Sequence, residues 1–213
     1  DTPSQMPWIA MEFLEGEDLL SHVTREGALN LERTSHILAQ LFHALEAAHK
    51  VGVVHRDLKP ENVFLKRSRR EGAPVTVKLL DLGIAKIVAD ANRNDTAAVG
   101  TPLWMAPEQT GGKVGPETDV WAIGLLAFWM LTGKSYWLSA ETGVPVMGIL
   151  REVINDPLVS ASERADQLGV RDRLPPGFDQ WFERCVAREP ETRFANAGEA
   201  RAAWERMSTG NAG

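Results

Sequence analysis

Apolar residues recur at helical spacing through most of the chain, and one stretch is apolar on every face. Residues 120–131 are interrupted only by Gly124, which predicts a helix buried at the centre of a core. Thr118 or Asp119 is expected to cap the start of this helix, and Gly133 is expected to end it. The stretch is too short to cross a bilayer, which takes about 20 residues.

Amphipathic patterns predict three further helices around this central one. The first covers 31–50 behind an Asn30 cap. The second carries an apolar stripe, and the third opens at Asn196 with Glu199 three positions on, a variant of the capping box. The stripe of the second helix consists of Phe178, Trp181, Phe182, Cys185 and Val186. The inner face of the third helix consists of Ala200, Ala203, Trp204 and Met207. Residues 208–213 are expected to form a tail.

Strand patterns are confined to the first half of the chain. They cover 8–13, 62–66 and 75–80, and the last two flank a basic turn that contains Gly and Pro, so we expect them to form a hairpin. The basic residues at its tip form either a solvated end or a phosphate-binding patch; they are Lys66, Arg67, Arg69 and Arg70. The chain is therefore predicted to be mostly helical, with a small β-hairpin at its edge.

The composition is that of an ordinary soluble domain. Of 213 residues, 44% are apolar and 24% are charged, which argues against a disordered, collagen-like or disulfide-rich chain. The net charge of −6 argues against nucleic acid as a partner. A single cysteine, Cys185, and the lack of a signal or membrane segment favour a cytoplasmic location. The first residue is Asp1 rather than Met, which favours a fragment of a longer protein.

Polar residues with catalytic potential cluster at the two ends of the hairpin. Because a hairpin brings its ends together, Asn62 and Asp81 are expected to face the same point, and their oxygens suit Mg²⁺. Asp57 and Lys59 lie in the adjoining loop. A carboxylate that orients a hydroxyl, an ammonium group and a divalent ion together favour phosphoryl transfer.

These residues stand in motifs that resemble those of protein kinases. The sequence H-R-D-L-K-P-E-N at 55–62 matches the catalytic-loop signature in order and spacing. D-L-G at 81–83 is similar to the metal-binding D-F-G, with Leu for Phe, and A-P-E at 106–108 matches the end of the activation segment. The resemblance covers 1–207 and implies an α+β fold whose large lobe, represented here, is mostly α. It is strongest to bacterial kinases of the eukaryotic type.

The small lobe of the family has no counterpart in this sequence. Nothing before Met11 matches the glycine-rich loop, the strand lysine that holds the phosphates or the glutamate helix that pairs with it. The resemblance therefore implies a large lobe that begins near the hinge. Alone, such a lobe is expected to have little activity and to associate through its open face, with the missing small lobe as its natural partner.

The resemblance assigns the catalytic roles residue by residue. Asp57 would orient the acceptor hydroxyl, and Lys59 would contact the γ-phosphate. Thr101 would form hydrogen bonds with Asp57 and Lys59. Asn62 and Asp81 hold Mg²⁺. The other ATP contacts would be Met11 as gatekeeper, the backbone of Glu12 and Leu14 at the adenine edge, Phe64 beneath the adenine, and Glu17 or Asp18 at the ribose. Glu61 is also expected among the ATP-binding residues.

Other residues receive architectural or regulatory roles from the same resemblance. Glu108 and Arg193 are expected to form a buried ion pair, and Asp119 to accept backbone N–H groups of the catalytic loop. Arg56 is expected to pair with a phosphate on the activation segment, with Thr96 as the phosphorylated residue. Alternatively, Thr96 only decorates a polar loop. His55 is interpreted as a packed histidine outside the chemistry.

Lys59 and the G-T-P sequence at 100–102 resemble serine/threonine kinases rather than tyrosine kinases. The resemblance therefore implies ATP- and Mg²⁺-dependent phosphorylation of protein substrates with a Ser or Thr acceptor. One alternative is a non-catalytic pseudokinase or split-lobe binding module, against which the retention of the catalytic residues argues. Another is a small-molecule phosphotransferase, against which the A-P-E segment argues, because that segment forms a peptide-docking shelf.

Overall fold

A computed structural model describes residues 12–67, 75–81, 102–111 and 113–210. Within these residues, the helices are α1 Leu19–Glu26, α2 Leu31–Lys50, α3 Pro116–Thr132, α4 Leu138–Glu141, α5 Val146–Ile154, α6 Ala161–Gln167, α7 Phe178–Cys185 and α8 Ala197–Ser208. The strands are β1 Gly16–Asp18, β2 Val63–Lys66 and β3 Thr76–Leu79. Short 3₁₀ turns cover Pro60–Asn62, Pro102–Trp104, Pro107–Thr110, Arg171–Arg173 and Pro190–Thr192.

The central helix α3 is buried along nearly its whole length, as its sequence predicts. It begins earlier than expected, because Pro116 occupies the first helical position and presets the backbone angle there. Thr118 and Asp119 therefore lie inside the first turn rather than at the cap, although the Thr118 hydroxyl still accepts the Gly115 N–H at 3.3 Å. Gly133 ends the helix with φ +70°, as predicted.

The predicted amphipathic helices are confirmed around α3. The Asn30 side chain caps α2 by accepting the Arg33 N–H at 2.9 Å. The side chain of Asn196 caps α8, but Glu199 accepts from Ala195 at 3.2 Å instead of closing a box on the cap itself. The predicted tail starts later than expected, since α8 continues through Ser208.

The apolar stripe of α7 packs into the core, where aromatic side chains from α3, α7 and α8 meet. Cys185 is fully buried there, and burial raises its pKa. A Cβ at Gly124 would lie 2.6 Å from the Cβ of Cys185, so the absence of a side chain at that glycine lets α3 and α7 pack closely. Cys185 is thus a core residue, as expected from its stripe.

The predicted hairpin is present as β2 and β3, which pair antiparallel in a three-stranded sheet of order β1-β2-β3. Strand β1 is not predicted by the sequence, because its Gly-Glu-Asp residues carry no strand pattern. It pairs with β2 so closely that a Cβ at Gly16 would lie 2.1 Å from the Leu65 carbonyl oxygen. Of the predicted strand at 8–13, residues 8–11 lie outside the described part, and Glu12 and Phe13 are not in a strand.

No helix in the described ranges is both long and apolar enough to span a membrane.

Candidate functional site

The backbone of the catalytic loop is held by a carboxylate from the central helix. The two side-chain oxygens of Asp119, which is 1% exposed, accept the N–H groups of His55 and Arg56, each at 2.9 Å. The contact with His55 is buried and the contact with Arg56 is partly buried, and hydrogen bonds to a charged group are strong away from water. The contacts expected of Asp119 are therefore present, and they fix the start of the loop relative to α3.

His55 ties the loop to the far end of the hairpin. Its side chain is buried, and Nε2 lies 3.0 Å from the carbonyl oxygen of Leu80, while Nδ1 accepts the Asp57 N–H at 3.4 Å. These two partners assign the proton to Nε2. Leu80 in turn donates its N–H to the Asn62 carbonyl at 2.9 Å. Both ends of the hairpin are thereby fixed to each other, as their sequence positions predict.

Three of the predicted catalytic side chains meet in this loop. The Nδ2 group of Asn62 donates to the backbone carbonyl of Asp57 at 2.7 Å and to its Oδ2 at 3.1 Å. Lys59 Nζ lies 3.3 Å from the same Oδ2. The Asp57 side chain keeps 31% of its surface exposed, so the carboxylate is held in place and is still reachable from solvent.

Asp81 lies two residues after the end of β3 and is exposed. Its φ of +50° places it in the left-handed region, which Asp tolerates better than most residues. Since Leu80 is bonded to Asn62, Asp81 stands one residue from that contact.

The side chains at the two ends of the hairpin carry oxygens of the kind that suits a hard cation. Asn62 donates from Nδ2 to Asp57, so its amide oxygen is not used in that contact, and Asp81 carries a carboxylate. The described ranges contain no group of three or more His, Cys, Asp or Glu side chains able to hold a metal. Mg²⁺ needs no such cage, because it binds through one or two carboxylates together with waters and phosphate oxygens.

The ion pair expected between Glu108 and Arg193 is present in the interior. Two bonds of 2.8 Å join the guanidinium to the carboxylate, and the Thr118 hydroxyl donates to the same carboxylate at 2.7 Å. Burial by itself raises the pKa of Glu108, but the bonds from Arg193 and Thr118 outweigh it and hold the pKa below its ordinary value. Arg193 also lies over the ring of Trp121, 4.9 Å from its centroid.

Two further residues contact the groups that hold the loop, although the sequence did not indicate either of them. Gln109 donates from Nε2 to the Arg56 carbonyl at 2.7 Å and accepts the Ala106 N–H at 2.9 Å. His49 lies 2.8 Å from the Asp119 carboxylate. Gln109 follows the A-P-E motif directly, which is the signal that could have singled it out, whereas nothing local marks His49.

The acidic residues expected near the adenosine make contacts of their own. Asp18 caps α1, and its two oxygens accept the N–H and the hydroxyl of Ser21, each at 2.8 Å. Glu17 binds Arg25 at 2.6 Å and His22 at 2.9 Å, and these bonds lower its pKa to about 2. Both acids are thus engaged in local bonds, and the sequence Asp-Leu-Leu-Ser was a recognisable helix-cap signal.

Only some of the other residues predicted to contact ATP lie in the described part of the chain. The Glu12 side chain is exposed and forms ion pairs with Lys66 at 2.5 Å and Lys78 at 3.5 Å. Leu14 and Phe64 are half-buried, and Phe64 stands opposite Asp18 in the sheet. Glu61 is exposed. Several predicted residues lie outside the described part of the chain: Met11, Leu82, Gly83, Thr96, Gly100 and Thr101, together with Arg69 and Arg70 at the hairpin tip.

A family model decides the identity of this arrangement. The model described as "Protein kinase domain" matches residues 2–204. The chain belongs to the protein kinase domain family. The kinase fold expected from the catalytic-loop, D-L-G and A-P-E motifs is thereby confirmed.

Kinases of bacteria are similar to the chain in sequence. Serine/threonine-protein kinase pkn3 of Myxococcus xanthus is 34% identical over 197 residues, which cover 89% of this chain and 34% of the relative. Serine/threonine-protein kinase PknB of Mycolicibacterium smegmatis is 30% identical over 217 residues, or 100% of this chain and 32% of the relative. The chain thus spans about a third of the length of these curated kinases.

Solved kinase structures show the same fold. The crystal structure of the Mycobacterium tuberculosis PknI kinase domain has a TM-score of 0.63 at 23% identity and covers 92% of this chain and 64% of that chain. The C20A_R136A double mutant of that domain has a TM-score of 0.66 at 22% identity, covering 93% and 65%. At this identity, the likeness establishes the kinase fold alone.

Proposed function

We propose that this chain forms the large lobe of a serine/threonine protein kinase, which transfers the γ-phosphate of ATP to hydroxyls of protein substrates with the help of Mg²⁺. The observation that carries the proposal is the position of the Asp57 carboxylate, which lies 3.1 Å from the Asn62 amide nitrogen and 3.3 Å from Lys59 Nζ. Phosphoryl transfer requires little covalent chemistry from the protein, so positioned charge of this kind supplies most of the catalysis.

The roles of the loop residues follow from their chemistry. Asp57 would accept and orient the hydroxyl proton of the acceptor, since its carboxylate is fixed and remains reachable. Lys59 would balance charge on the transferred phosphoryl group, because its ammonium stands beside that carboxylate. Asp119 supports this chemistry without touching it, by holding the backbone that carries Asp57.

The metal-binding role belongs to Asn62 and Asp81. They would hold Mg²⁺, which neutralises charge on the phosphates when bound. The support for this assignment is the fixed amide of Asn62, the exposed carboxylate of Asp81 and the hydrogen bond that joins the two hairpin ends.

The nucleotide is proposed to lie against the hinge, with the backbone of Glu12 and Leu14 at the adenine edge and Phe64 beneath the ring. The family's glycine-rich loop and phosphate-binding lysine are not among the residues of this chain. The proposal therefore assigns the rest of the phosphate clamp to a small lobe outside it. Arg56 is proposed to receive the phosphate of phosphorylated Thr96.

The test of this function is phosphate transfer by the full-length gene product that contains this chain. Incubation with ATP labelled at the γ-phosphate and a library of Ser- and Thr-containing peptides is expected to yield phosphoserine or phosphothreonine. ATP binding without any transfer would contradict the proposal and favour the binding-module alternative. Transfer to small alcohols but not to peptides would favour the small-molecule phosphotransferase.

The metal assignment is tested separately with Mn²⁺ as the probe, by water-proton relaxation in the presence of ATP. Asp81→Asn is expected to weaken Mn²⁺ binding at least tenfold, because the carboxylate ligand is lost. Asp156→Asn removes a partly exposed carboxylate that pairs with Arg151 and serves as the matched control. Equal Mn²⁺ affinity for both variants would contradict the assignment.

A further inference from the structure

The residue directly before the proposed base has a strained backbone. Arg56 has φ +64°, in the left-handed region where residues other than Gly, Asn and Asp are rare. Such a conformation persists only where the surroundings determine it. The contacts that hold Arg56 in place therefore also determine where the next residue, Asp57, points.

Two contacts hold the peptide groups on either side of Arg56. Its N–H donates to Asp119 at 2.9 Å, and its carbonyl accepts from Gln109 Nε2 at 2.7 Å. The first contact fixes the peptide before Arg56. The second fixes the peptide between Arg56 and Asp57, which carries the N–H of the proposed base.

Gln109 is itself held in place. Its Oε1 accepts the Ala106 N–H at 2.9 Å, and its own N–H donates to the Ala106 carbonyl at 3.0 Å. The next residue back, Glu108, is bonded twice to the buried Arg193. The turn that presents the Gln109 amide to the catalytic loop is therefore anchored in the core.

The chemistry at this point requires an amide. One end of the side chain must donate to a carbonyl, while the other must accept an N–H, and both atoms sit on the same carbon. A Glu at this position keeps the acceptor but turns a carboxylate oxygen toward the Arg56 carbonyl. A Met of similar size provides neither a donor nor a good acceptor.

We propose that Gln109 is a positioning residue for phosphoryl transfer, in that its amide clamps the Arg56 carbonyl to the end of the A-P-E segment and so aims the Asp57 carboxylate. This inference rests on the proposed kinase function. Gln109 does not touch the reacting groups in this account; it acts through the Arg56–Asp57 peptide.

The kinetic test compares Gln109→Met and Gln109→Glu with the parent in the full-length gene product. Both variants are expected to lower kcat by about 10- to 100-fold, since a misplaced catalytic group loses rate on this scale, while KM for ATP changes less than threefold. The matched control is Thr110→Val, which removes a 2.8 Å bond to the Pro107 carbonyl within the same turn but no contact with the loop. A kcat within twofold of the parent in both variants would overturn the proposal.

A second measurement is independent of activity. In this chain labelled with ¹³C and ¹⁵N, loss of the Gln109 donor is expected to shift the Arg56 carbonyl ¹³C resonance upfield and the Asp57 amide resonance with it, whereas Thr110→Val leaves both unchanged. Unchanged resonances in folded Gln109→Met or Gln109→Glu would refute the clamp. In the parent, the failure to detect a coupling across the hydrogen bond from Gln109 Nε2 to the Arg56 carbonyl would also refute it. If the parent transfers no phosphate but these shifts occur, the kinase proposal fails and the clamp stands.

Discussion

The catalytic loop and the hinge side of the proposed nucleotide site are held in very different ways. The loop is fixed by partners from distant parts of the chain: Asp119 on α3, Gln109 after the A-P-E motif and Leu80 at the end of the hairpin. On the hinge side, Asp18 bonds to Ser21 and Glu17 bonds to His22 and Arg25, all within eight residues.

This difference shows which part of the fold is held most rigidly. Contacts between distant segments form only when the whole chain is folded, so the geometry of the loop depends on the global fold. Local contacts on partly exposed side chains contribute little to stability and tolerate change.

The largest loss of stability is expected when the buried ion pair between Glu108 and Arg193 is broken. This pair anchors the turn that carries Gln109. Arg193→Met leaves the Glu108 carboxylate without its main partner, which costs about 3–5 kcal/mol of unfolding free energy. Urea denaturation of this chain measures it. Arg184→Met, which removes an exposed arginine 3.8 Å from Glu199, should cost about 0.5 kcal/mol or less. A loss below about 1 kcal/mol for Arg193→Met would contradict the contrast.

Asp119→Asn is expected to cost about 1.5–3 kcal/mol, because the amide nitrogen faces one of the two backbone donors and the charge is lost. Amide hydrogen exchange should report the change specifically at His55 and Arg56, with faster exchange than in the parent. If those two amides keep their protection while stability falls, the carboxylate does not hold the loop.

On the hinge side, Asp18→Ala removes the cap of α1 and is expected to cost about 1 kcal/mol. Asp18→Asn preserves the acceptor and should cost less. Thermal unfolding of the two variants separates capping from other roles. A loss of more than about 3 kcal/mol in Asp18→Ala would place this residue in a wider network and weaken the contrast with the loop.

The smallest effect is expected in acid. Hydrogen bonds from Arg25, and then from His22, lower the pKa of Glu17 to about 2 from 4.5, so the ionised carboxylate is favoured in the fold. The stabilisation it gives is present above about pH 4.5 and is lost as the pH falls toward 2. An NMR titration of the Glu17 side chain should show this low midpoint, and Arg25→Gln should raise it. A midpoint near 4.5 in the parent would contradict the local pairing.

The sequence predicts the fold and the loop well, because both leave local signals. The helices α2, α7 and α8 follow from apolar periodicity, α3 follows from a continuous apolar stretch, and the hairpin follows from two strands around a basic turn. Asp57, Lys59 and Asn62 stand at short, fixed spacing, so the loop that brings them together is encoded within a few residues.

The remaining features depend on contacts that no local pattern records. Strand β1 exists because β2 offers it a partner more than forty residues later in the chain, not because Gly-Glu-Asp favours a strand. His49 and Gln109 matter only through Asp119 and Arg56, which are distant in sequence. The family resemblance places Glu17 or Asp18 at the ribose, and the local sequence of Asp18 also fits the helix cap that the structure shows.

We propose that the rigid loop, rather than Glu17 and Asp18, carries the chemistry. The most direct test is steady-state phosphorylation by the full-length gene product carrying either Asp57→Asn or Asp18→Asn. Asp57→Asn is expected to lower kcat by at least about 10³-fold with KM for ATP nearly unchanged, whereas Asp18→Asn is expected to keep kcat within about threefold of the parent. An Asp57→Asn variant that retains more than about a tenth of the parent kcat would contradict the assignment of the chemistry to the loop.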